Sequence, residues 1–87
     1  MKAVNPNTAT ADKKIEGEGF IKPKGKYTYI YTGLISADWF IDTQKYPVEY
    51  TEISDNAIEV IWTAGYSGQF EIKYGDLTKT VVVESLF

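Results

Sequence analysis

From Ile15 onward the chain alternates apolar and polar residues with a period of two, and turn-forming residues break the alternation about every ten residues. That period places successive side chains on opposite faces of a strand. Residues 15–21 read as a first strand, in which Gly17 and Gly19 mark a bulge or a close backbone approach. Residues 22–26 read as a turn, with Pro23 and Gly25 supplying fixed and permissive dihedrals. In residues 26–32 the tyrosines Tyr27, Tyr29 and Tyr31 share one face, and Thr28, Ile30 and Thr32 share the other. A threonine-rich face suits water. Tyr29 is therefore expected in the core, with Tyr27 and Tyr31 partly exposed at the strand ends.

Residues 37–42 form a third predicted strand. Asp38 and Asp42 mark one face as wet, which turns Ala37, Trp39 and Ile41 inward and leaves Phe40 outside. Residues 46–50 read as a short edge strand, because Pro47 has no N–H to donate to a ladder. Residues 57–62 point Ile58, Val60 and Trp62 inward and Glu59 outward, and residues 69–75 point Phe70, Ile72 and Tyr74 inward. Residues 79–87 are the last strand. Its register stays open, since Val81, Val82 and Val83 suit either burial on both faces or an outer face that meets a neighbour. No segment keeps a helical period for three turns. The predicted fold is all-β: an antiparallel, immunoglobulin-like sandwich of about seven strands over residues 15–87, preceded by a disordered arm or linker over residues 1–14.

The 87-residue chain has no cysteine, so no disulfide joins the layers. The hydrophobic layer alone must hold them. Trp39, Ile58, Val60, Trp62, Phe70 and Ile72 are expected to carry most of the stability, at roughly 1.5–3 kcal/mol per fully buried large side chain.

The stretches ADWFID, NAIEVIWTAGYSGQFEIKYG and KTVVVE resemble the PKD-like and related immunoglobulin-like domains of bacterial surface proteins, especially those of Bacteroidota, and of tailed-phage virion proteins. Trp39, Val60, Trp62, Gly68, Phe70 and Ile72 fall on the aromatic and strand positions of that pattern, and the resemblance spans about residues 15–84. The chain lacks the Gly-Asp-Gly turn common after the third-strand tryptophan in PKD domains proper. The resemblance implies a non-catalytic spacer, adhesion or virion decoration domain, placed on a bacterial cell surface within a longer exported protein or in a phage particle. Its partner would be a protein or a neighbouring domain.

Charge narrows the partners. Residues 1–26 hold six lysines against three acids, and residues 27–87 hold three lysines against nine acids. An acidic body argues against nucleic acid, whose affinity comes largely from phosphate contacts. No apolar run approaches the length of a membrane-spanning helix. The N-terminal residues contain no apolar segment of the signal-peptide type. The expected locations are therefore the cell interior, a particle, or a domain of a longer exported protein.

The residue types also limit chemistry. Histidine and arginine are absent, so the usual general base, the usual transition-metal ligand and the forked phosphate clamp are missing. No serine or threonine has a histidine to activate it, and there is no glycine-rich phosphate loop. Asp38 and Asp42 share a face but stand about 13 Å apart at strand rise, too far to chelate one ion. Asp55, Asn56 and Asp76 sit in predicted turns, where their side chains serve the backbone. No metal, cofactor or catalytic residue is predicted. The candidate ligand-binding residues are the aromatics expected outside the core: Phe40, Tyr46, Tyr50 and Tyr66. Flat rings beside acids and amides stack on sugars, so the rival to the structural reading is a carbohydrate-binding module that takes a surface glycan. The terminal Leu86-Phe87 pair is expected to pack on this domain or on a neighbour.

Overall fold

The computed structural model describes residues 13–85. Among them are eight strands and no helix: β1 (Ile15–Glu16), β2 (Phe20–Ile21), β3 (Lys26–Tyr31), β4 (Trp39–Phe40), β5 (Val48–Ser54), β6 (Ala57–Trp62), β7 (Gly68–Tyr74) and β8 (Leu77–Val83). They form two four-stranded sheets, ordered β1-β3-β6-β5 and β2-β8-β7-β4. The sheets pack as a sandwich around one core.

Alternation does what the pattern predicts in the central strands β6 and β7 and in the segment around the edge strand β4. Ile58, Val60, Trp62, Phe70, Ile72, Tyr74, Trp39 and Ile41 are all buried. Both indoles lie in the interior, Trp39 at 5% and Trp62 at 2% exposure. The β5 strand is an edge and begins directly after Pro47. It runs on to Ser54, past the expected end at residue 50, and its pairing with β6 shifts register between Glu52 and Ser54. In β8, Val81 and Val83 enter the core while Val82 lies half-buried on the outer face, in register with Phe20. That resolves the valine run: the outer position meets a neighbour in its own sheet.

Three expectations are corrected. The first strand is two strands in different sheets. Ile15–Glu16 pairs antiparallel with β3, and Phe20–Ile21 pairs parallel with β8, so the sandwich is not wholly antiparallel. The third strand pairs with β7 only over Trp39 and Phe40. Tyr31 is buried rather than partly exposed, because its ring stacks on Tyr74 at 4.0 Å between centroids. Of the stretch read as an arm, residues 1–12 lie outside the described residues. Lys14 is tied down: its N–H donates to the Thr32 hydroxyl, and its carbonyl accepts from the Thr32 N–H at 3.0 Å. Leu86 and Phe87 also lie outside the described residues.

Tyr29 has 0% exposure, and its hydroxyl donates to the Glu18 carbonyl at 2.7 Å. This bond pins the segment that crosses between the sheets. Burial, with a smaller contribution from the Glu18 carboxylate, pushes the Tyr29 phenol well above its ordinary value of 10.0. The neutral form is thus favoured in the fold. Above about pH 10 the unfolded chain releases this proton while the folded chain holds it, so stability falls as pH rises through that range. Urea unfolding between pH 8 and pH 11 is expected to show this loss. Tyr29→Phe should be less stable at pH 8 by about 1 kcal/mol, since it removes the hydrogen bond to the half-buried Glu18 carbonyl. The variant should also have a flatter alkaline slope, and an unchanged slope would contradict the assignment.

Candidate functional site

The lateral site begins where β4 stops. After Phe40 the chain leaves β7 and folds on Asp42, whose Oδ1 accepts the N–H groups of Gln44 at 3.1 Å and Lys45 at 3.2 Å. The Asp42 carbonyl accepts from Lys45 and Tyr46 at 3.1 and 3.0 Å. This turn is an aspartate-capped loop of the kind short acidic side chains favour. Because the chain swings away, the outward residues of β7 are left open. Phe40, Asp42, Lys45, Tyr46, Glu71 and Lys73 line the resulting depression of about 150 Å³. Phe40 is 53% exposed. The Tyr46 ring leans toward Phe70, with centroids 6.4 Å apart, and the Lys45 ammonium sits over it at 5.3 Å. The lining therefore combines two aromatic rings with carboxylates and ammonium groups of both signs.

The structure brings together two of the four candidate aromatics, Phe40 and Tyr46, and separates the others. Tyr50 faces inward across Val60 and packs half-buried against the core. Tyr66 lies on the corner between β6 and β7, edge-on to Trp62 at 6.1 Å and 88°. Its carbonyl accepts the Trp62 Nε1–H at 2.9 Å. Among the described residues no three metal-ligating side chains converge. None of the described helical content is long and apolar enough to cross a membrane, since that content is nil.

A second site lies at one end of the sandwich and was not singled out by alternation. The loop over residues 32–38 carries Leu34 and Ile35 into solvent, at 84% and 52% exposure. The Tyr74 hydroxyl accepts the N–H groups of Ser36 at 2.9 Å and Ala37 at 3.1 Å, fixing the loop to β7. Beside it, Lys13, Tyr31, Ser36, Tyr74, Asp76 and Leu77 are among the residues around an open cavity of about 310 Å³. The β5–β6 turn belongs to the same end, where the Asn56 carbonyl accepts the Tyr31 N–H at 2.8 Å. The signal for this site was present as a Leu-Ile pair beside Gly33 that fits neither neighbouring strand.

The opposite end is built from the turn over residues 22–25 and the corner over residues 63–67. The Lys24 N–H donates to the Trp62 carbonyl at 2.8 Å, and the Ser85 N–H donates to the Ser67 hydroxyl at 2.8 Å. The described chain thus runs in at the Leu34 end, through Lys14 and Thr32, and runs out at the Tyr66 end, through Ser85.

No protein-family model, no curated protein and no solved structure matches the chain.

Proposed function

We propose that the chain is a non-catalytic, immunoglobulin-like module of the PKD-like kind, serving as a spacer, adhesion or decoration unit on a bacterial surface or a phage particle. The observation that carries this reading is the path of the chain through a two-layer body, in at one end and out at the other, with loops presented at both ends. The strand order supports the fold half of the reading. With β1 and β2 counted as one divided strand, the first sheet runs first-second-fifth-fourth and the second places the third, sixth and seventh side by side. That agrees with the strand order of constant-type immunoglobulin sandwiches, with β2 added as an edge strand beside β8. Rigid layers stapled by a common core hold loops at fixed separation, which is what a spacer or adhesion unit requires.

The depression at Phe40 and Tyr46 favours a second reading, a carbohydrate-binding module, because an exposed ring at Phe40 and a half-buried one at Tyr46, flanked by carboxylates, suit a sugar face. A glycan array separates the two. The structural reading expects no glycan bound above background. A hit that disappears in Phe40→Ala and Tyr46→Ala, with both variants folded by circular dichroism, would replace it with the second.

A further inference from the structure

The two ends of the sandwich carry opposite charge. The Leu34 end presents Asp38, Asp55 and Asp76, all exposed, on its three loops. Among the described residues Lys13 is the cation that opposes them, while Lys14 is paired with Glu16 at 3.3 Å. The Tyr66 end presents Lys22, Lys24 and Lys26, all exposed, with Glu84 and Glu49 as the opposing acids among the described residues, Glu49 being in register with Ile61 as Lys26 is. The fold creates this separation by placing the 22–26 turn at one end and the 32–38 loop, the β5–β6 turn and the β7–β8 turn at the other.

Apolar groups stand beside the charges at both ends. Leu34 and Ile35 project from the acidic end, and Tyr66, 62% exposed, projects from the basic one. Lys24 adds an independent sign. It holds a left-handed backbone, with φ of 72°, the only non-glycine residue to do so among the described residues. Glycine or asparagine would occupy that position at lower cost. Residues held in such conformations cluster where a side chain is used.

We propose that the acidic, Leu34-bearing end of one copy of this chain docks on the basic, Tyr66-bearing end of a second copy. The contact is head-to-tail. It joins two different patches, so it propagates into a row rather than closing on itself as a two-fold dimer does. Leu34 and Ile35 meet Tyr66 at the centre, and the aspartates meet the lysines around them, matching the apolar core and charged rim of protein interfaces. The end of a domain this narrow offers a small area. Contacts below about 1,200 Å² in total are weak and transient. The lysine–aspartate rim steers the encounter and is screened by salt. The proposal rests on the reading of the chain as an interaction module and names its partner.

The test is sedimentation velocity over a concentration series, at low and at high salt. The wild-type chain is expected to show a weight-average mass that rises with concentration at low salt and much less at high salt. Lys22→Glu with Lys24→Glu makes both ends acidic, and Asp55→Lys with Asp76→Lys makes both ends basic. Each double variant alone should associate at least roughly tenfold more weakly. Mixing the two should restore association, since each now offers an end complementary to the other. Leu34→Ser with Ile35→Ser should weaken association without changing its salt dependence. All these positions are exposed, and thermal melts confirm that each variant is folded. A wild-type mass that stays monomeric at every concentration overturns the proposal. So does self-association that ignores both charge reversals, or a mixture no different from its components. A monomeric result leaves the module reading intact with another partner, whereas a glycan-array hit displaces that reading without touching self-association.

Discussion

Replacing Trp62 with alanine is expected to cost about 3–5 kcal/mol, a large part of the stability of a domain whose total is on the order of 5–15 kcal/mol. Trp62 closes the β6 end of the core. Its ring stacks on Phe70 at 5.9 Å and 22°, takes the edge of Tyr66, and donates Nε1–H to the Tyr66 carbonyl. It also lies against the Gly68 backbone, where an added Cβ would stand 2.8 Å from the indole. Phe70 and Val60, themselves at 0% exposure, are already committed to the core and do not fill the void. Chemical denaturation with a free m-value measures the loss, and a cost below about 1.5 kcal/mol would show that the site collapses easily.

Trp39 supplies the internal control. It is equally interior, edge-on to Tyr74 at 5.2 Å, but its Nε1 has no hydrogen-bond partner among the described residues. Trp39→Phe removes an unpaired buried donor, whereas Trp62→Phe removes a bonded one and strands the Tyr66 carbonyl. The first should therefore be the milder change, by about 1 kcal/mol. The reverse order would contradict the hydrogen-bond assignment.

The second large effect is expected at Gly17, between β1 and β2. Its φ of 151° lies where side chains are rarely tolerated, and a Cβ there would sit 2.3 Å from Cδ1 of Tyr29 and 3.0 Å from the Thr28 carbonyl oxygen. The Tyr29 ring cannot yield, being wholly buried and bonded to Glu18. Gly17→Ala adds backbone strain of about 1–3 kcal/mol to a clash of similar size. A loss of 3 kcal/mol in a domain of this length lowers the melting temperature by roughly 12–24 °C. Gly19→Ala, two residues on, meets nothing within 4 Å and should stay within about 0.5 kcal/mol of the wild type. Equal effects at the two glycines would mean that the close approach of Gly17 to Tyr29 is wrong.

These positions show what was legible in the residues and what was not. The inward set of β6 and β7, the edge position of β5 after Pro47, and the interior place of both tryptophans all follow from alternation and turn chemistry. The division of the first strand did not follow. Ile15 and Ile21 are both apolar and both buried, yet they belong to different sheets. The two glycines allowed a bulge or a close approach; that they mark a change of sheet depends on Tyr29 and β8, remote in the chain. Tyr31 was misplaced for the same reason, since its cover is Tyr74. The lateral site was half legible: Phe40 stood out on a wet face, but its meeting with Tyr46 required the Asp42 turn to pull the chain off β7. Tyr50 shares the edge strand but turns to the core.

The charge asymmetry shows the difference most clearly. By itself the sequence established an all-β chain, the identity of the residues that must be dry, and a lysine-rich first third before an acidic remainder. Period-two patterning is written in neighbouring residues and needs no partner to be read. Only the tertiary structure decided which strands pair, that β2 runs parallel to β8, and that Asp38, Asp55 and Asp76 gather at the end opposite Lys22, Lys24 and Lys26. Those outcomes depend on burial shared between residues far apart in the chain, and such contacts leave no local signature.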